Sequence, residues 1–333
     1  MFRGLGARGL WFAIAGIALV ATVGTLTWYL LRLDNYGAKA GVGLVGFSAE
    51  STGTVAFAGQ FPMAEEAPLG GPMGMDQIDD RLYIALSEIG AIGVFSLDGA
   101  MLDTITIEPV SGAPVSYPID VAAISPDRLA VVETSGNRVI LLDPSDPTAA
   151  RPLLSEAAPS LGQPTAVEYH GGELFVADAT SGMIHVYDGS GEPLRQLGAG
   201  MIPPITYVGA MHLAGSTLWV SDSNVGRVLG LDPITGQVLR SVQMRFDLPR
   251  GIVSDEAGRI YVAEAFAGVV RVFDSEGLGV LDVVGDEALH GFAAETAMTA
   301  PKDVWWDANE SRLYVSDAEQ GRIKVYNVRE EVE

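Results

Sequence analysis

Six carboxylates recur along the chain at near-constant intervals: Glu88, Glu133, Asp178, Asp222, Glu264 and Asp317, spaced by 45, 45, 44, 42 and 53 residues. Repeated carboxylates could ligate metal or exchange protons if a fold brought several of them to one point. Their neighbours argue for another use. Arg138, Arg227 and Arg322 each follow an acid by five residues, which suits a pair formed across a short turn between two strands. Glu133–Arg138, Asp222–Arg227 and Asp317–Arg322 are therefore read as structural acid–Arg pairs.

A smaller set comprises Asp120, Arg250, Lys302 and Asp303, each placed one or two residues after a Pro. Acids and bases mixed in this way could hold a small anion or a metal-bridged ligand; a solvated ion-pair cluster is the plain alternative. The four histidines, His170, His185, His212 and His290, do not form a ligand set, since a catalytic zinc needs three protein ligands and an open position. His170 and His212 fall at comparable first-turn positions of neighbouring repeats, and His185 lies inside a strand. No Ser stands in the strand–turn–helix context of a nucleophile elbow, and calcium-loop and phosphate-loop motifs are missing. The chain has no Cys, which removes disulfides, thiolate metal sites and covalent haem attachment. No catalytic residue, metal or cofactor is expected on these grounds.

The elements carrying these residues repeat. The clearest copies read LFVADATSGMIHVYD (174–188), LWVSDSNVGRVLGLD (218–232), IYVAEAFAGVVRVFD (260–274) and LYVSDAEQGRIKVYN (313–327). Degenerate copies occupy 82–97 and 129–143. Short strands repeated every 40–50 residues, without helical periodicity, are the pattern of propeller blades, each a four-stranded sheet. A Pro opens most copies, at 72, 118, 164, 249 and 301, where a strand tolerates its missing N–H. The fourth copy has Tyr207-Val208-Gly209 instead.

Pro-x-Gly/Asp, then Tyr-Val-Ala-Asp, then Gly-Arg-Ile/Val and a strand ending in Asp resemble the NHL repeat over residues 72–328. That resemblance implies a six-bladed propeller and no particular function. The expected fold is thus all-β: a six-bladed propeller of four-stranded antiparallel blades over 54–328, with a charged tail at 329–333. The last copy lacks an outer strand of its own, and residues 54–58 have the composition to supply it. That pairing would remove an open sheet edge.

A single transmembrane α-helix is expected before the propeller. Residues 10–31 are uncharged, follow a basic segment (1–9) with Arg3 and Arg8, and carry Trp11 and Trp28-Tyr29 at their ends. Their 22 residues, at about 1.5 Å each, would span a hydrocarbon core. A cleaved secretory signal ending at Ala38-Lys39-Ala40 is the competing reading. Residues 32–53 would be a Gly-rich tether. The charge bias places the N-terminus in the cytoplasm and the propeller outside it, periplasmic or on the cell surface.

Acids exceed bases by 42 to 20, which disfavours a nucleic-acid partner. The expected partners are the bilayer, through residues 10–31, and another protein. Inter-blade connections at 198–206 and 285–300 are apolar for loops, through Met201, Ile202, Pro203 and Pro204, and Leu289 and Phe292. The leading expectation is a non-catalytic, membrane-anchored binding or scaffolding module, for example an accessory subunit of a respiratory or photosynthetic complex. The alternatives are a metal-dependent lyase or lactonase and a small-ligand-binding protein, each with its site at the mouth of the central channel.

Overall fold

The second strand of each repeat is buried along nearly its whole length, as in Leu82–Leu86, Leu129–Glu133 and Leu313–Asp317. Such a strand must be covered on both faces, which a radial stack of sheets provides and an open sandwich does not. In the computed structural model, which describes residues 55–63, 65–154, 161–277, 279–285 and 296–329, the strands form six four-stranded antiparallel sheets. Numbered along the chain, blades 1 to 5 (72–106, 118–152, 164–197, 208–241 and 249–284) take their strands in chain order, and blade 6 spans 301–328. The sixth takes its outer strand from the start of the described chain: Val55–Phe61 pairs antiparallel with Arg322–Val328.

Six apolar cores lie between successive blades. One joins Ile78 and Tyr83 of blade 1 to Val121 and Leu129 of blade 2, and the last joins Tyr314 and Ile323 of blade 6 to Met75 and Leu82 of blade 1. The ring is thus closed by side-chain packing as well as by the shared blade. The outer strands are far more exposed; in Met101–Thr106 only Ile105 is buried.

The register corrects one sequence expectation. Pro118, Pro164, Pro249 and Pro301 pair with Glu133, Asp178, Glu264 and Asp317, and Val208 pairs with Asp222. In blade 1, however, Pro72 pairs with Leu86, so Leu86 holds the acid position and Glu88 lies exposed in the following turn. The degenerate first copy hid a shift of two residues.

Residues 1–9, the stretch 10–31 expected to cross a membrane and the expected tether 32–53 lie outside the described residues, as do Leu289, Phe292 and residues 330–333. Among the described residues no helix is long and apolar enough to cross a membrane.

Candidate functional site

The second-strand acids of blades 2 to 6 are at most 5% exposed, so each needs compensation. They accept backbone N–H groups from the connection that enters their own blade. Asp178 takes those of Gln163 (2.7 Å) and Gly162 (3.2 Å), and Asp317 those of Thr299 (2.8 Å) and Ala300 (3.0 Å). Glu264 takes that of Asp247 at 2.7 Å, and Asp222 those of Thr206 and Tyr207, each at 3.2 Å. Arg138 Nε lies 2.7 Å from Glu133 and Arg227 Nε 3.0 Å from Asp222. Arg271 pairs with Glu264, at a seven-residue spacing that a five-residue search overlooks. The arginines also bind the same connections through carbonyl groups: Arg138 holds Val110 O, Arg227 holds Pro203 O and Pro204 O, and Arg322 holds Glu66 O. These turns anchor loops.

The innermost strands behave differently. Their polar side chains occupy set distances from the opening residue and reach to the next blade. Two positions after Pro, Asp120 accepts Val167 N–H (2.8 Å) and Asp303 accepts Met75 N–H (2.9 Å). Four positions after it, Asp76 accepts Ala123 N–H (2.7 Å) and Glu168 accepts Leu213 N–H (3.1 Å). His212, four after Val208, makes the equivalent contact to Ser254 Oγ (3.1 Å). It therefore lies within the inner strand and not, as expected, in a first turn matching His170. The missing Pro of the fourth copy obscured the alignment.

These groups are buried between the innermost strands, where charge is poorly solvated. Burial pushes Asp76 up to about 6 and Glu168 up to about 8. Burial, with Asp76 nearby, pushes Asp303 up to about 7. Asp120 is raised well above the usual carboxylate range by burial and by the facing Asp303. Burial, with His170 nearby, lowers His212 to about 4.

Ser254, His212 and Glu168 stand in the atom order of a hydrolytic triad. The His212 Nδ1–Glu168 Oε1 distance of 3.8 Å is too long for a hydrogen bond. A carboxyl near 8 is mostly neutral at pH 7 and an imidazole near 4 is a weak base. The trio is a blade latch.

At one mouth of the channel lies a cavity of about 270 Å³. The structure brings Asp120, Arg250, Lys302 and Asp303 together around it, together with Thr165 and Tyr207. Arg250 and Lys302 occupy the residue after Pro in adjacent blades. The Arg250 guanidinium lies over the Tyr207 ring, 4.9 Å from its centroid, while its Nε is buried without a hydrogen-bond partner among the described residues. Lys302 is lowered by burial and by Arg250 beside it. Thr165, 2% exposed, has an Oγ1 without a partner among the described residues. The arrangement can bind an anion, since two cations converge on a cavity whose acids, Glu88, Glu319, Asp120 and Asp303, form no ion pair within 4.0 Å with either of them among the described residues. Among the described residues no three His, Cys, Asp or Glu are disposed to hold a metal ion. Thr165, Tyr207, Asp76 and Glu168 escaped the sequence reading; counting from the opening Pro would have found Asp76 and Glu168.

Of the rim residues, Met201 packs half-buried against the core between blades 3 and 4, while Ile202 is 94% exposed beside exposed Pro203 and Pro204.

No protein-family model matches the sequence, and no curated protein matches it. Solved structures are similar in fold. A protein of unknown function from Bacteroides thetaiotaomicron shares 18% identity at a TM-score of 0.58, over 79% of this chain and 71% of that one. The WD40 β-propeller domain of Doa1 shares 10% at 0.57, over 82% and 97%. Virginiamycin B lyase from Staphylococcus aureus shares 11% at 0.55, over 82% and 99%. At these identities the likeness extends to the fold alone.

Proposed function

We propose that this chain is a non-catalytic binding propeller of NHL type, held at a membrane by residues 10–31 with its body outside the cytoplasm, and that it recognises a small anionic ligand at the channel mouth. The observation that carries the ligand reading is the pair Arg250 and Lys302. Both line one cavity, and among the described residues neither side chain forms a hydrogen bond or an ion pair within 4.0 Å, although Glu319 and Asp317 act on Lys302 from farther away. Two adjacent cations left without acceptors raise the free energy of the empty protein, and an anion relieves it. Thermal unfolding of the full-length protein in mild detergent, with and without small carboxylates and phosphate, tests this. A ligand at about a hundred times its Kd would stabilise by about 2.7 kcal/mol. The Arg250→Ala/Lys302→Ala double variant should lose the shift, and the absence of any anion-induced shift in the parent protein would refute the reading.

Ile202 supports a second reading, docking of a protein partner on the rim. An aliphatic side chain 94% exposed on a loop held by Arg227 is a rigid apolar point. Copurification from detergent-solubilised membranes should then depend on it, with Ile202→Asp losing the partner and Ile234→Asp, on an outer blade turn, keeping it. The lyase reading competes through its need for metal: stoichiometric metal in the purified protein would favour it over both.

A further inference from the structure

The cavity is divided by charge. Its cations, Arg250 and Lys302, come from the opening positions of blades 5 and 6. Of its acids, Asp120 and Asp303 sit one position deeper, in blades 2 and 6 with blade 1 between them, while Glu88 and Glu319 line it from exposed turns. Blade 1 presents Gly74 at the corresponding position. A Cβ added there would stand 2.0 Å from Asp120 Oδ1, so the missing side chain is what admits the carboxyl. The same blade gives Met75 N–H to Asp303. The two carboxyls therefore meet across a glycine, each held by a backbone donor of the next blade. Neither forms an ion pair within 4.0 Å with any described cation, although Lys302 is adjacent in sequence to Asp303. Neighbouring residues of a strand diverge, and the two charges of blade 6 serve different levels of the mouth.

An anion alone would neutralise the upper pair and leave Asp120 and Asp303, pushed up by burial, without a cation to favour their ionised form. A cation alone would do the reverse. Resting on the ligand-binding reading above, we propose that the occupant is a small zwitterion, its carboxylate taken by Arg250 and Lys302 and its ammonium by Asp120 and Asp303. About 270 Å³ is the room of roughly nine waters at about 30 Å³ each, which suits an amino acid of about ten non-hydrogen atoms or fewer. Thr165 Oγ1, buried at the same cavity without a partner, is a further polar group for the ligand.

Calorimetric titration of the full-length protein in mild detergent tests the proposal with glycine, 4-aminobutanoate and 5-aminopentanoate, against pentanoate and pentylamine. One of the amino acids should bind at least about tenfold more tightly than pentanoate, and the best chain length reads the separation of the two charged pairs. Its binding at pH 7 should release protons from the carboxyl pair, seen as a dependence of the heat on buffer ionisation, whereas pentanoate should release none. Asp303→Asn keeps an acceptor for Met75 N–H; it should abolish the preference for the amino acid and leave pentanoate binding intact. Asp120→Asn should behave alike. If pentanoate binds as well as every amino acid, and does so through Arg250, the zwitterion is wrong and the anion site stands. If no compound in the panel binds, both readings fall.

Discussion

The blade turns and the channel mouth use the same residue types to opposite ends. At the turns every buried acid meets donors: Asp222 alone accepts Thr206 N–H, Thr206 Oγ1, Tyr207 N–H and Arg227. The arginines there bind carbonyls of the connections as well, so positive and negative groups cancel locally and the loops are fixed. At the mouth, about one strand length away in sequence, Arg250 and Lys302 have no hydrogen-bonded or ion-paired acceptor, and Asp120 and Asp303 no ion-paired cation, among the described residues. Charges that satisfy one another build a scaffold. Charges of both signs kept apart in one cavity leave free energy for something else to recover.

The contrast is most easily broken at the turns. Asp222→Ala would leave Arg227 half-paired and two backbone N–H groups without their acceptor, and the expected loss is about 3–5 kcal/mol in urea unfolding. A loss below about 1 kcal/mol would mean that these acids do not hold the connections. A second substitution probes the close approach of the inner strands. Gly74→Ala forces Asp120 aside, because the new Cβ would also lie 2.7 Å from Asp120 Cα, which is backbone and cannot swing away. The expected cost is about 1–3 kcal/mol in the same measurement, together with weaker ligand binding. Gly59→Ala, with nothing within 4 Å of the added carbon, is the control.

How much of this was legible beforehand follows from what repeats. The second strands carry a near-identical text in the last four copies because each is packed on both faces by the same kind of neighbour, so blade number and strand order could be read from spacing. The outer strand Val55–Phe61 was legible as the partner of an edge that the final copy leaves open. The inner strands resisted reading because each contributes a different residue to a shared axis. Asp76, Glu168 and His212 are equivalent only once Val208 is seen to stand in for a Pro, and Leu86 shows how a degenerate copy moves the count by two. The interaction of Asp120 with Asp303 runs across 183 residues and depends on Gly74, whose contribution is an absent side chain; no local pattern announces that.

Glu168 allows the channel to be compared with the turns by pH. Its folded value of about 8 lies above its ordinary 4.5, so between these pH values the folded protein holds a proton that the unfolded chain has released. Its contribution is complete below about 4.5 and is lost as pH rises through 8. Asp303 and Asp76, raised to about 7 and 6, act in the same direction. Each proton so held adds a slope of at most about 1.4 kcal/mol per pH unit. Glu168→Gln keeps an oxygen for Leu213 N–H and cannot titrate. The variant should match the parent near pH 5, exceed it in stability near pH 9, and show a flatter profile between.

The smallest expected effect on stability is also the sharpest test of the contrast. Arg227→Ala and Arg250→Ala remove the same side chain from two settings. The first strands Asp222, fully buried, and releases the carbonyls of Pro203 and Pro204; it should cost several times more than the second. The second forfeits the stacking of a guanidinium on Tyr207, about 0.5–1 kcal/mol, and it also removes a buried Nε without an acceptor and a positive charge beside Lys302. These contributions oppose one another, and the net change in unfolding free energy should lie within about 0.5 kcal/mol of zero. Ligand binding should nevertheless be lost, because the anion's strongest bidentate donor is gone. A large loss of stability in Arg250→Ala would place this residue with Arg227 among the structural arginines, and the division between turn and mouth would collapse at the residue on which it most depends.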